Sequence, residues 1–246
     1  MIKKISKKLS NTWKKLCLKK NTILLLMIVI VLSEIVFNIN QIAGFVLYSS
    51  LIALCLLSLS HEENLEDYDK LMIILMIMPI IRIIEGFIIL DLFWKVLIPY
   101  SILLFLSFYY SVRFKLDHGH KKEKFGLLFL AILIGIVLGI IGNLWFNFNK
   151  YPIILYLIPL IAYSEEILFR GMIQNLIYKG YGFTLSILIT AFLYGIFSLG
   201  YGFAFALFMF FAGMIIGLVY NSTKNIYLAV VINLILHYFL FIFAKI

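Results

Sequence analysis

Residues 151–178 read YPIILYLIPLIAYSEEILFRGMIQNLIY, a stretch as long and apolar as a membrane span with Glu165, Glu166 and Arg170 in its middle. A span needs about 20 apolar residues. An ionisable side chain inside it costs several kcal/mol, which makes it a functional candidate by default. Glu166 and Arg170, four residues apart, lie about 40° apart on an α-helix and can pair. Glu165 is turned about 100° from its neighbour, so Arg170 cannot satisfy both carboxylates equally well. Glu165 is the one left facing something else. A carboxylate taken out of water can act as a general base near neutral pH, and pairing only its neighbour would separate the two roles. A polar knot binding helices together fits the same spacing, and the spacing alone does not choose between the two.

The sequence on either side is of the same kind. The chain is 64% hydrophobic and 13% charged, whereas soluble domains are about 45–50% apolar. No polar stretch approaches the roughly 50 residues of a folded soluble domain. The expected fold is all-α, a polytopic transmembrane helical bundle. Apolar segments fall near 22–38, 41–60, 71–90, 96–112, 126–146, 151–178, 181–199, 203–220 and 225–244. They make nine spans, or eight if the short first pair forms one re-entrant element. The domain reading is a basic amphipathic arm at 1–21, N-terminal transmembrane helices at 22–124 and a transmembrane core at 125–246.

The net charge of +9 is uneven, since eight lysines lie in the first twenty residues. That arm reads either as an amphipathic segment on an anionic leaflet or as a topogenic block holding the N-terminus inside. Nothing beyond charge supports a nucleic-acid partner. The apolar stretch after the arm is too long for a signal peptide and lacks a small-residue cleavage site, so it reads as a retained span. Lys70, Arg113, Lys115, Lys121, Lys122, Lys124, Lys179 and Lys224 fall on one side of the nine-span order, and Lys95, Lys150 and Lys245 on the other. The expectation is a multi-pass cell-membrane protein with a cytoplasmic N-terminus.

Cys17 and Cys55 form no CxxC or Cys/His cluster, so neither a disulfide framework nor a thiolate site is suggested. Cys55 reads as a small core residue. His118 and His120 can touch a metal, but they sit in a loop, 113–124, that reads as solvated. Gly135 with Gly139, and Gly213 with Gly217, are small-xxx-small pairs that let helices approach closely. Arg82 and Glu85 are three apart and read as a local ion pair. Glu34 reads as a lone group reaching interfacial water. His237 is the one histidine in an apolar segment.

The pattern EExxxR, Glu165 to Arg170 with Gly171 after it, resembles the first motif of the CPBP family, the CAAX-prenyl-protease and bacteriocin-processing proteins also called Abi. The resemblance runs over roughly 125–244, which makes the core at 125–246 CPBP-like. A second family motif, FxxxH, matches TAFLYGIFSLG, with Tyr194 at the aromatic position and Ser198 in place of the histidine. A third, HxxxN, matches NIYLAVVINLILHYF, with Asn233 and His237 exchanged. The resemblance implies that Glu165 activates water, that Glu166 and Arg170 shape the site, and that Asn233 and His237 bind the oxyanion, unless His237 serves Glu165 directly. Ser198 cannot hold a proton as imidazole does. Adjacent glutamates with a competing arginine make a poor metal site, so no metal and no cofactor is expected.

Three functions follow. The first is an intramembrane endopeptidase acting on a membrane-delivered peptide tail, a bacteriocin-type leader or a signalling-peptide precursor. The second is a catalytically degenerate homologue acting as a bacteriocin-immunity factor or as a scaffold for another membrane enzyme, which the loss of the second-motif histidine favours. The third is a small transporter, for which no inverted repeat speaks. The expected partners are membrane lipids, with a peptide or protein substrate in the membrane or a partner membrane protein. Ser198 and His237 discriminate, by whether they face Glu165.

Overall fold

A computed structural model describes residues 2–59, 66–89, 91–116, 125–146 and 152–242. Among them every regular element is helical: α1 (Ile2–Ile39), α2 (Gln41–Leu59), α3 (Asp67–Leu75), α4 (Ile77–Phe87), α5 (Leu92–Phe114), α6 (Phe125–Trp145), α7 (Ile158–Glu166), α8 (Asn175–Phe197), α9 (Phe203–Thr223) and α10 (Ile226–Ile242). A π-helical stretch, Ile167–Gln174, joins α7 to α8. The arm and the first span form one helix, α1. His118 and His120 lie outside the described residues.

Local chemistry sets several breaks. Pro79 has no N–H, and its ring crowds the carbonyl four residues back, where α3 ends at Leu75. A reciprocal capping box between Glu66 and Asp69 starts α3. Pro159 stands in the first turn of α7, where no hydrogen bond is lost. Gly182, at φ 81°, reverses the chain inside the helical run from Ile158 to Phe197. Without that reversal Glu165 and Tyr194 would stand about 40 Å apart along a straight helix; in the fold they share a hydrogen bond.

The bundle is apolar outside, and its ionisable side chains are buried within an otherwise apolar core, as a lipid solvent requires. Leu25, Leu54, Phe105, Phe129 and Phe211 are exposed, while Glu34, Arg82, Glu165, Glu166, Arg170, Asn233 and His237 are buried. Among the described residues, five helical stretches are long and apolar enough to cross a membrane, with Gln41–Leu57 and Ile226–Phe241 shorter. One of the five, Ile158–Phe197, is the run that turns back at Gly182. The all-α membrane bundle read from the sequence is the observed fold.

Glycines bring α6 against α10. A Cβ built on Gly139 would lie 2.3 Å from the Phe239 Cβ, and one on Gly135 2.8 Å from the Ile235 Cβ. Across the bundle, Gly213 and Gly217 let α9 approach the π-helical stretch and α8. Cys55 is buried in the apolar core.

Candidate active site

Glu165 ends α7. It is 4% exposed, and side chains from three other helices converge on it. Tyr100 of α5 donates its hydroxyl to Oε1 at 3.1 Å. Tyr194 of α8 reaches Oε2 at 2.9 Å, and Asn233 of α10 donates Nδ2 to the same oxygen at 3.1 Å. His237 Nε2, one turn further along α10, is 3.3 Å from Oε2. The Tyr194 hydroxyl is also 3.1 Å from Asn233 Oδ1, so its single proton serves one acceptor at a time.

Glu166 turns the other way, as the spacing requires. Its Oε2 is 3.3 Å from Arg170 Nε, and both side chains are fully buried. Arg170 also donates to the Gly213 carbonyl at 3.3 Å, and its guanidinium carbon lies 5.0 Å from the centre of the Tyr194 ring. One helical turn on, Gln174 donates to the Gly217 carbonyl at 2.8 Å. The π-helical stretch is thus stapled to α9 at two carbonyls four residues apart. Arg170 supports the tyrosine that holds Glu165, and the pair Glu166–Arg170 lies behind the site rather than in it.

A cavity of about 40 Å³ lies beside the carboxylate, lined by Glu165, Tyr100, Ser198, His237, Arg82 and Tyr201 among others. A site for one water needs about 10–15 Å³ and polar partners. His237 is 7% exposed, and its Nδ1 has no hydrogen-bond partner among the described residues. Ser198 caps α8 and lines the same cavity, but its hydroxyl donates to the Tyr194 carbonyl at 3.1 Å rather than to Glu165. His237 therefore faces Glu165, whereas Ser198 shares only its cavity. Donors on one carboxylate, a histidine and room for water can activate water and stabilise a developing oxyanion.

Two further residues belong to this site. Tyr194 was legible only as the aromatic of the second motif, and its hydroxyl has no counterpart in a phenylalanine. Tyr100 carried no signal beyond being a tyrosine beside Pro99 within an apolar segment. Glu34 corrects the expectation of a lone group. It is buried, accepts from the Tyr48 hydroxyl, and lies 3.0 Å from Arg82 Nε. Its partner is 48 positions away on α4, beyond the reach of helix spacing. Arg82 also donates to Glu85 at 2.5 Å, as the i, i+3 spacing expects, and to the carbonyl of Phe197.

Fold and site together define a polytopic helical membrane protein with a buried, carboxylate-centred polar site. Residues 147–239 match a family model described as Rce1-like, type II CAAX prenyl endopeptidase, so this segment of the chain is similar to that family of membrane peptidases. The matched segment reaches from just before α7 into α10, and α1 to α6 lie outside it. Neither the curated proteins nor the solved structures compared with the chain give a match.

Proposed function

We propose that the chain is an intramembrane endopeptidase in which Glu165 activates water against a peptide or protein tail delivered from the membrane. The observation that carries this reading is the convergence of Tyr100, Tyr194, Asn233 and His237 on one buried carboxylate beside a water-sized cavity. Glu165 takes a proton from water as the water oxygen adds to the scissile carbonyl carbon. The tetrahedral oxyanion is met by donors that hold Glu165 in the resting site, Asn233 and His237 first among them. Catalytic hydrogen bonds commonly rearrange in this way when substrate binds. The proton then passes to the leaving nitrogen as the C–N bond breaks, so water is divided between the two products. Glu166 and Arg170 act from behind, by fixing the Tyr194 ring.

In this reading residues 125–246 carry the chemistry and 22–124 wall the site. The lysine and arginine distribution supports a cytoplasmic N-terminus and a place in the cell membrane. The substrates that fit are a bacteriocin-type leader or a signalling-peptide precursor.

The test compares peptide termini in and released from host membranes for wild type, a deletion, and the deletion restored with Glu165→Ala. The expected result is a cleaved terminus that vanishes in the deletion and stays absent with Glu165→Ala. Full restoration by Glu165→Ala removes water activation from the function.

A further inference from the structure

A second cavity, of about 350 Å³, opens beside the first and is lined by Asn38, Gln41, Glu85 and Lys95 among others. Its lining is mixed, about half polar, unlike the lipid-facing surface. It shares three residues with the cavity at Glu165, namely Arg82, Tyr100 and Tyr201. Those side chains are the wall between the two spaces.

Each of the three is tied differently. Tyr100 is buried and touches the reacting carboxylate itself, donating to Oε1 at 3.1 Å. Arg82 is held by Glu34 at 3.0 Å and Glu85 at 2.5 Å, and it donates to the carbonyl of Phe197, one residue before Ser198. Its guanidinium carbon also lies 4.5 Å from the centre of the Phe197 ring. Tyr201, in the short turn Leu199–Tyr201 between α8 and α9, is 60% exposed. A fixed cation, a phenol bound to the carboxylate and one exposed side chain thus separate a wide, half-polar space from a small one.

Hydrolysis needs water at Glu165, and the exposed apolar surface of the bundle offers it no route. We propose that the larger cavity is the aqueous entrance to Glu165 and that Arg82, Tyr100 and Tyr201 form its gate, with Tyr201 the part that moves. The gate admits water and small polar solutes and keeps bulk solvent off the carboxylate. Its role rests on the hydrolytic reading above, but its existence is testable without any cleavage. Arg82 and Tyr100 come from helices outside the segment that matches the family model. The N-terminal helices therefore supply most of the entrance.

The experiment is thiol labelling of the full chain in membrane vesicles. Cys17→Ser and Cys55→Ser remove the native thiols. Ser198→Cys then places one thiol in the inner cavity, and Asn38→Cys, in a separate protein, places one in the outer cavity. The probe is a charged, membrane-impermeant methanethiosulfonate applied to each side in turn. Asn38→Cys should react quickly whatever stands at 201. Ser198→Cys should react slowly, and about tenfold faster when Tyr201→Ala opens the wall. Truncating the exposed Tyr201 leaves the buried Arg82 network intact, so a folded protein is expected. Arg82→Gln is the second variant and should accelerate Ser198→Cys labelling, with Arg82→Lys restoring the slow rate. An unchanged Ser198→Cys rate with Tyr201→Ala, or an unreactive Asn38→Cys, overturns the gate. Neither result depends on whether Glu165→Ala abolishes cleavage, so the gate and the peptidase reading fail separately.

Discussion

Four side chains reach the two oxygens of Glu165, and three of them meet at Oε2. Removing one donor of such a set is a direct measure of its part. Tyr194→Phe restores the aromatic of the family's second motif but takes away a hydroxyl bonded to Glu165 and near Asn233 Oδ1. Cleavage of the terminus identified with Glu165→Ala should fall about 100-fold. Thermal unfolding should show a loss of about 1–3 kcal/mol, because a buried carboxylate loses one of its hydrogen-bond donors. A full stability loss with unchanged cleavage makes Tyr194 a structural strut only. Much of this residue-level picture was legible. Two adjacent glutamates and an arginine four on must divide, one paired with the arginine and one turned elsewhere, and Asn233 and His237 must share a face. Tyr100 was not legible, because a hydrogen bond across 65 positions leaves no periodic trace.

Among the elements, α10 packs closely against α6, and this contact holds its polar side chains at Glu165. Gly139 leaves no room for a methyl group, its Cβ position being 2.3 Å from the Phe239 Cβ. Gly139→Ala should push α10 away and draw Asn233 and His237 from Glu165. The expected cost is about 1–3 kcal/mol in unfolding and a matching loss of cleavage. Gly126→Ala, with nothing within 4 Å of the added atom, should change either by no more than about 0.5 kcal/mol. Melting curves in detergent and cleavage rates in membranes check both. The small-xxx-small spacing of Gly135 and Gly139 marked a close helix approach without naming α10 as the partner, and the break between the apolar segments 151–178 and 181–199 fell beside the reversal at Gly182. The π-helical stretch was not visible. Its residues carry no π-helix signature, and the stretch is where Arg170 and Gln174 reach two carbonyls of α9.

Over the whole molecule, two ionic centres lie side by side, one around Glu165 and one around Arg82. The second is a buried cation between two carboxylates, Glu34 and Glu85. Arg82→Ala leaves those charges without their partner and should cost about 3–5 kcal/mol. Arg82→Met combined with Glu34→Gln and Glu85→Gln should cost less than the single change, because no charge is then left buried alone. Chemical unfolding of the three proteins, wild type, Arg82→Ala and the triple variant, checks the order. Helix spacing gave the Arg82–Glu85 half of this centre. Glu34 entered only through the packing of α1 and α2 against α4, which decides which non-local groups meet.

The ring around Glu165 has a timing built into it. Tyr100 precedes the glutamate in the chain, whereas Tyr194, Asn233 and His237 are all made after it. While the ribosome is still extending the chain past α7, the carboxylate must enter the bilayer with one of its four partners. It waits for the return at Gly182 to bring the second and for the arrival of α10 to bring the last two. A nascent or truncated chain lacking residues 226–242 holds an incompletely bound carboxylate, and membrane quality control has a polar flaw to recognise until synthesis is finished.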